Sequence, residues 1–113
     1  MGVSEHLTIG VAREADRVVL SLDGELDMAN APHLQQAIDG EDAGTRAIVL
    51  DLQRLTFLDS TGLRVILAAR ERCQERGQQF AITRGSEQVQ RLLSVTGVAS
   101  HLRMLATPDE LVV

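Results

Sequence analysis

Residues 47–63 of the chain read AIVLDLQRLTFLDSTGL, and this stretch indicates the fold class most clearly. Its first part, Ala47–Leu52, is short and almost entirely apolar, which is typical of a strand at the centre of a sheet. The segment Gln53–Leu58 is predicted to be a connection. A helix is then predicted to start at Asp59 or Ser60, because polar capping residues there precede an apolar periodic run.

Strands and helices also alternate before this stretch. Apolar residues alternate over 7–11, a polar turn follows at 13–17, and a second apolar run occupies 18–22, which together predict an antiparallel hairpin. Asn30 is predicted to cap a helix over roughly 31–40, with a proline in its first turn. Two strands and a helix are therefore expected ahead of the central strand.

The same alternation continues after it. The helix that follows the central strand is expected to end at about Arg76, before a strand at 80–82. Ser86 is predicted to cap the next helix, and Leu102–Ala106 is predicted to be the last strand. Thr107–Glu110 has the spacing of a capping box, with room for a turn of helix at most.

The order of these elements predicts the fold class. Repeated strand–helix–strand units favour parallel pairing, whereas the hairpin adds one antiparallel strand. A chain of 113 residues suits one hydrophobic core. We therefore predict an α/β fold: one domain over residues 1–113, with a mixed, mostly parallel sheet of about five strands packed with helices.

The composition excludes several classes of protein. A formal net charge of −5 and only two aromatic residues make nucleic acid a poor partner. All 11 basic residues are arginine, which excludes catalysis that needs lysine. The longest apolar run has five residues, 65–69, far fewer than the roughly 20 that cross a bilayer. Cys73 has no partner for an intramolecular disulfide, so we expect a cytoplasmic protein that does not span a membrane.

Two features mark the start of the helix after the central strand as a candidate site. Glycine in a helix costs about 1 kcal/mol relative to alanine, so Gly62 indicates that another backbone or surface approaches closely. A helix N-terminus also favours an anion, such as a phosphate on Ser60. The alternative is that Asp59 and Ser60 serve only as capping residues.

The motif LDSTGL at 58–63, preceded by IVLDL at 48–52 and GELD at 24–27, resembles the bacterial anti-sigma-factor antagonist family and its STAS domain. The resemblance covers nearly the whole chain. It implies that Ser60 is phosphorylated by a partner that is both a serine kinase and an anti-sigma factor. It also implies that only the unphosphorylated form binds this partner and frees a sigma factor, and that a phosphatase acts on the phosphorylated form.

The predicted partner surface surrounds this serine. Glu25 and Asp27 are expected at the same sheet edge as the helix start, unless they only aid solubility. Arg64 stands where many family members have a second glycine, and lies four residues after Ser60, within reach of a phosphate there; the alternative is a solvated arginine without a role. The predicted partner-binding residues are Glu25, Asp27, Asp59, Ser60, Thr61, Gly62 and Arg64. No catalytic residue, metal ligand or cofactor is predicted.

Other functions stay open. The main rival is a STAS accessory subunit of a larger assembly, such as a stress-signalling complex or a lipid transporter, in which Ser60 is never modified. A nucleotide-binding domain would need a glycine-rich phosphate loop, and a serine hydrolase would need a Gly-x-Ser-x-Gly elbow; the sequence has neither. His6, His33 and His101 lack metal-ligand spacing. Cys73 is predicted to be a small core residue.

Overall fold

The long strand β3, Ala47–Leu58, runs through the middle of a five-stranded sheet. The computed structural model of the chain describes residues 6–41 and 44–111. Within those residues the other strands are β1 (Leu7–Glu14), β2 (Arg17–Leu26), β4 (Gln79–Thr83) and β5 (Met104–Leu105). The α-helices there are α1 (Ala31–Asp39), α2 (Ser60–Glu75) and α3 (Glu87–Val95), and two short 3-10 helices span Val98–His101 and Pro108–Glu110.

The strands lie side by side in the order in which the chain makes them, β1-β2-β3-β4-β5. The β1–β2 pair is antiparallel, and the β2–β3, β3–β4 and β4–β5 pairs are parallel. A helix connects each parallel pair, as a parallel connection requires. The predicted α/β fold with a mixed, mostly parallel sheet is confirmed.

The hairpin turn is shorter than predicted. The sequence predicted a five-residue polar turn at 13–17, but β1 continues to Glu14 and β2 begins at Arg17. Those two residues face each other across the ladder and form an ion pair of 2.7 Å. Ala15, in the turn, has a φ of 52°. Glu14 is exposed to solvent at this strand end, whereas the side chain of Arg17 is largely buried and its charge is paired.

The predicted connection at Gln53–Leu58 is wrong, since β3 continues through it to Leu58. This half of β3 pairs with the end of β2, but the register shifts between Ser21 and Asp23 and again between Gly24 and Glu25. Such bulges break the two-residue repeat of a strand. The buried residues Leu52, Leu55 and Leu58 are consequently three apart, a spacing that does not look like a strand.

The two faces of the sheet are covered differently. One face packs against all three α-helices, with Leu50 and Ile82 of the sheet in one core with Leu34, Ile66 and Leu93 of the helices. The opposite face carries a small second cluster formed by Ala47, Val49, Ala81, Leu105 and Leu111. In the described part of the chain, no helix is long and apolar enough to cross a membrane.

The last described segment is bound back to the hairpin. Strand β5 has only two residues, Met104–Leu105, rather than the five predicted, and a 3-10 helix takes up part of the preceding segment. The guanidinium of Arg17 donates to the carbonyls of Pro108 and Leu111 at 2.8 and 3.0 Å. The predicted turn at 107–110 is present as a single 3-10 turn over Pro108–Glu110, but the Thr107 side chain does not cap it, and Glu110 accepts from the Ala106 amide instead.

Candidate functional site

Asp59 joins the two segments that form the candidate site. It is the N-cap of α2, and its Oδ1 accepts a hydrogen bond from the amide of Gly62 at 2.9 Å. Its Oδ2 accepts one from the amide of Met28, in the β2–α1 loop, also at 2.9 Å. The Asp59 amide in turn donates to the carbonyl of Leu26. One side chain thus fixes the start of α2 against the end of β2.

Ser60 is the first residue of α2, and its side chain is exposed. Among the described residues, none forms a hydrogen bond with its hydroxyl. The capping function belongs to Asp59, so the hydroxyl of Ser60 is not needed to start the helix. The first amides of an α-helix lack intrahelical acceptors and carry a partial positive charge, which favours an anion at this position.

Gly62 lies in the first turn of α2, on the side of the helix that faces Leu26 and Leu58. A Cβ atom there would come within 2.8 Å of both Leu26 Cγ and Leu58 Cδ1. Real Cβ atoms do not approach other carbons so closely, so only glycine lets α2 begin directly over the ends of β2 and β3. The predicted close approach is confirmed, and the approaching groups are core leucines of the same chain.

The two acidic residues predicted beside the helix start lie at the end of β2 and at the beginning of the β2–α1 loop. Glu25 is exposed and lies opposite Phe57 in the β2–β3 ladder. Asp27 is half-buried, and its Oδ1 accepts hydrogen bonds from the amides of Ala29 and Asn30 at 3.0 and 3.2 Å. The two carboxylates therefore differ: Asp27 shapes the loop, whereas Glu25 is open to solvent.

Asn30 departs from its predicted role. It occupies the N-cap position of α1, but its side chain makes no capping hydrogen bond to that helix. Its Oδ1 accepts instead from the amide of Asp27, and its Nδ2 donates to the carbonyl of Glu25, both at 2.9 Å. The buried side-chain amide thus joins the end of β2 to the β2–α1 loop before α1 begins.

The other two predicted site residues, Thr61 and Arg64, lie on α2. Thr61 is half-buried and Arg64 is exposed. Among the described residues, no carboxylate forms an ion pair with Arg64. Residues four apart lie on the same helix face, and helical side chains lean toward the N-terminus, so the position of Arg64 allows its side chain to reach Ser60.

Two apolar side chains are exposed beside this site, and the sequence pattern did not indicate them. Met28 is 72% exposed and Phe57 is 39% exposed. Met28 follows the loop residue Asp27, and Phe57 precedes Asp59 by two positions. The available signal was an apolar residue next to polar ones in a segment predicted to be irregular. Exposed apolar groups of this kind are common where proteins meet partners.

The remaining candidates do not assemble into a site. Among residues 6–41 and 44–111, no three His, Cys, Asp or Glu side chains come together in a way that suits a metal ion. Cys73 is fully buried in the main core, as predicted. Its burial raises the pKa of the thiol, while the charges of Arg72 and Arg76 act in the opposite direction.

Comparison with known proteins identifies the fold family. The family model of the STAS domain matches residues 10–111. The chain belongs to the STAS domain family. The anti-sigma-F factor antagonist RsfB of Mycobacterium tuberculosis is 31% identical over 109 residues, which cover 95% of this STAS domain and 88% of RsfB. The anti-sigma-B factor antagonist of Listeria monocytogenes is 24% identical over 100 residues, 88% of each chain.

Solved structures agree with this assignment. An anti-sigma factor antagonist from Mycobacterium paratuberculosis superimposes with a TM-score of 0.84 at 29% identity, covering 97% of this STAS domain and 94% of that chain. The anti-sigma factor antagonist SpoIIAA in its unphosphorylated form shares the fold, with a TM-score of 0.75 at 21% identity and 91% of each chain covered. The predicted resemblance to anti-sigma-factor antagonists is confirmed at the level of family and fold.

Proposed function

We propose that this STAS domain is an anti-sigma-factor antagonist controlled by phosphorylation of Ser60. In its unphosphorylated form it binds a partner that is both an anti-sigma factor and a serine kinase, and a sigma factor is released. The partner transfers a phosphoryl group from ATP to the Ser60 oxygen, and a phosphatase removes it. The domain is a binding protein of the bacterial cytoplasm and not itself an enzyme.

The observation that carries this proposal is the contrast between Asp59 and Ser60. The Asp59 carboxylate is held by two backbone amides, so the backbone next to it is fixed. The neighbouring Ser60 is exposed, and its hydroxyl has no hydrogen bond to any other residue that the structure describes. A kinase can therefore reach this oxygen without unfolding the start of α2. The names of the relatives support the antagonist role.

The surroundings of Ser60 support a binding surface that phosphorylation weakens. Met28 and Phe57 offer apolar area, while Glu25 and Arg64 offer opposite charges at its border. A phosphoserine adds roughly −1.5 to −2 charges at pH 7 beside the Asp59 carboxylate. A partner that buries the neutral hydroxyl would have to desolvate that charge, so the phosphorylated form binds more weakly.

The direct test is mass spectrometry of the protein isolated from its native cells, with and without phosphatase treatment. We expect phosphate on Ser60 that phosphatase removes, and none on Thr61. Phosphate found only on Thr61 or elsewhere would contradict the assignment. Ser60 bare under every growth condition would favour the accessory-subunit function, in which the same surface binds a permanent partner.

The partner is tested with immobilised protein in clarified extract from the same cells. Mass spectrometry of the bound fraction should identify an anti-sigma factor with a kinase domain that Ser60→Ala retains and Ser60→Asp loses. Recovery of transporter or multi-subunit signalling components with both variants alike would instead support the accessory subunit. The paired variants separate the two functions because only one of them depends on the state of Ser60.

A further inference from the structure

The second half of β3 loses its neighbour on one side. The β3–β4 ladder ends with the pair Leu50 and Ile82. The Thr83 hydroxyl then closes the gap: it accepts from the Leu52 amide at 2.8 Å and donates to Asp51 Oδ1 at 2.9 Å. Beyond this point, the backbone groups of β3 that face away from β2 need other partners, because unpaired buried groups are costly.

The start of α3 supplies those partners. The amide of Ser86 donates to the Leu55 carbonyl at 3.3 Å, and its hydroxyl donates to the Thr56 carbonyl at 3.1 Å. Gln88 binds the last residue of β3 through both ends of its side-chain amide. Its Oε1 accepts from the Leu58 amide at 3.1 Å, and its Nε2 donates to the Leu58 carbonyl at 3.3 Å.

Gln88 thus occupies the place of a peptide group in a neighbouring strand. The primary amide of a glutamine side chain can accept from an N–H and donate to a C=O with the same planar group. Leu58 immediately precedes Asp59 and Ser60, and on its other side it pairs with Leu26 of β2. The junction between β3 and α2 is consequently held from both edges.

We infer that Gln88 is a positioning residue for Ser60, a role that rests on the proposed phosphorylation of that serine. By fixing both backbone groups of Leu58, it sets the direction in which the chain leaves β3 and so the position of the Ser60 hydroxyl. Gln88 is an exposed residue, so its substitution opens no cavity in the core. Its loss therefore affects the geometry of the junction more than the stability of the fold.

Three variants test this inference. Gln88→Met removes both hydrogen bonds but keeps the length of the side chain. Gln88→Glu keeps an acceptor for the Leu58 amide and loses the donor. Glutamine, glutamate and methionine have similar helix propensities, but a carboxylate in the first turn of α3 also interacts favourably with the helix dipole, so urea unfolding of both variants is measured to identify a general effect on α3. Gln74→Met is the matched control, because Gln74 is an exposed residue of α2 about 21 Å along the helix from Ser60.

The first measurement is backbone NMR. We expect the Leu58 amide to exchange about tenfold faster in Gln88→Met than in Gln74→Met, and Gln88→Glu to retain most of the protection. The order parameter of the Ser60 amide should fall in Gln88→Met. Unchanged Leu58 exchange, or an equal loss in the Met and Glu variants, would overturn the inference.

The second measurement is the initial rate of Ser60 phosphorylation when each purified variant is added to native-cell extract with ATP. Gln88→Met should be phosphorylated several-fold more slowly than Gln74→Met. Equal rates would overturn the positioning role even if Leu58 exchange increases. If the wild-type domain itself is not phosphorylated, the proposed function fails, and the Ser60 order parameter alone then decides whether Gln88 positions this residue.

Discussion

Asp59 and Ser60 are neighbours in sequence with opposite structural roles. The carboxylate is committed to the amides of Gly62 and Met28, so it acts as a fixed support rather than as a free charge. Ser60 is exposed, and within residues 6–41 and 44–111 its hydroxyl makes no hydrogen bond. Substitutions at the two positions should therefore have clearly different effects on stability and on binding.

Asp59→Ala should destabilise the fold, because it removes a helix cap and the connection to the β2–α1 loop together. We expect a loss of about 1–2 kcal/mol in the free energy of unfolding, measured with urea. Ser60→Ala is the control and should change this free energy by less than about 0.5 kcal/mol. Similar losses in the two variants would contradict the assignment of Asp59 as the cap.

Ser60→Asp should weaken binding of the anti-sigma factor while Ser60→Ala preserves it. The introduced carboxylate has to be desolvated beside Asp59 and the exposed apolar side chains of Met28 and Phe57. Calorimetry with the partner identified from cell extract measures the difference. Equal affinities of the two variants would argue against control by charge at this position.

Gly62→Ala should destabilise the fold although alanine favours helices. Its Cβ would overlap with Leu26 and Leu58, at 2.8 Å from each. Overpacking typically costs about 1–3 kcal/mol, which exceeds the gain of about 1 kcal/mol in helix propensity. Gly40→Ala is the control, since its nearest neighbour would lie at 3.4 Å. A urea midpoint for Gly62→Ala at or above that of Gly40→Ala would refute the packing argument.

At the scale of elements, the site forms where the β2–α1 loop and the start of α2 meet. The Asp27 carboxylate and the Asn30 amide shape the loop, and Asp59 holds it to α2. The proposed partner surface is thus built from two elements that are separate in sequence. Charge changes on either element should affect the same binding event.

Glu25→Lys should reduce partner affinity without changing stability, because this carboxylate is exposed. Asp27→Lys should reduce both, since the loop amides of Ala29 and Asn30 lose their acceptor. Partner binding and urea unfolding, measured on the same samples, separate the two effects. Glu71→Lys on α2 makes the same change in net charge and is the control; if it lowers affinity as much as Glu25→Lys, the effect is one of overall charge.

Arg64→Ala should remove a contact that forms only in the phosphorylated state. The arginine is one helical turn from Ser60, and an exposed ion pair contributes about 0.2–1 kcal/mol. We expect Arg64→Ala to lower the free energy of unfolding of the phosphorylated domain by that amount, measured by thermal unfolding, relative to the control Arg91→Ala. Arg91 is an exposed residue of α3. In the unphosphorylated state the two variants should melt alike, and a difference there would indicate a different role for Arg64.

The elements were predictable where local patterns govern them. The polar residues after β3 predicted the start of α2, and the two apolar runs at 7–11 and 18–22 predicted the hairpin. The length of β3 was not predictable, because its bulges leave Leu52, Leu55 and Leu58 three residues apart. The Asp59–Met28 and Gln88–Leu58 hydrogen bonds join residues 31 and 30 positions apart, so no local spacing signals them.

For the molecule as a whole, the buried thiol of Cys73 makes stability depend on pH. It is fully buried, and burial raises the pKa of its thiol above the ordinary value. The folded state therefore favours the neutral thiol. This contribution to the free energy of unfolding is fully present below the unfolded pKa of about 8.5 and is lost as the pH rises above it. Wild type should lose more stability than Cys73→Ala between pH 8 and pH 10; equal losses would contradict the raised pKa.

The order of the strands also bears on how the domain is made. Each strand pairs with the one synthesised just before it, so the sheet can be extended at one edge while the ribosome is still translating. The hairpin offers the first template, and no later strand has to insert between two that are already paired. The contacts of Arg17 with Pro108 and Leu111 bridge 91 and 94 positions, so they cannot form until those residues have been synthesised. Nascent chains that end before residue 108 should accordingly contain most of the sheet but lack the hydrogen bonds of Arg17 with Pro108 and Leu111.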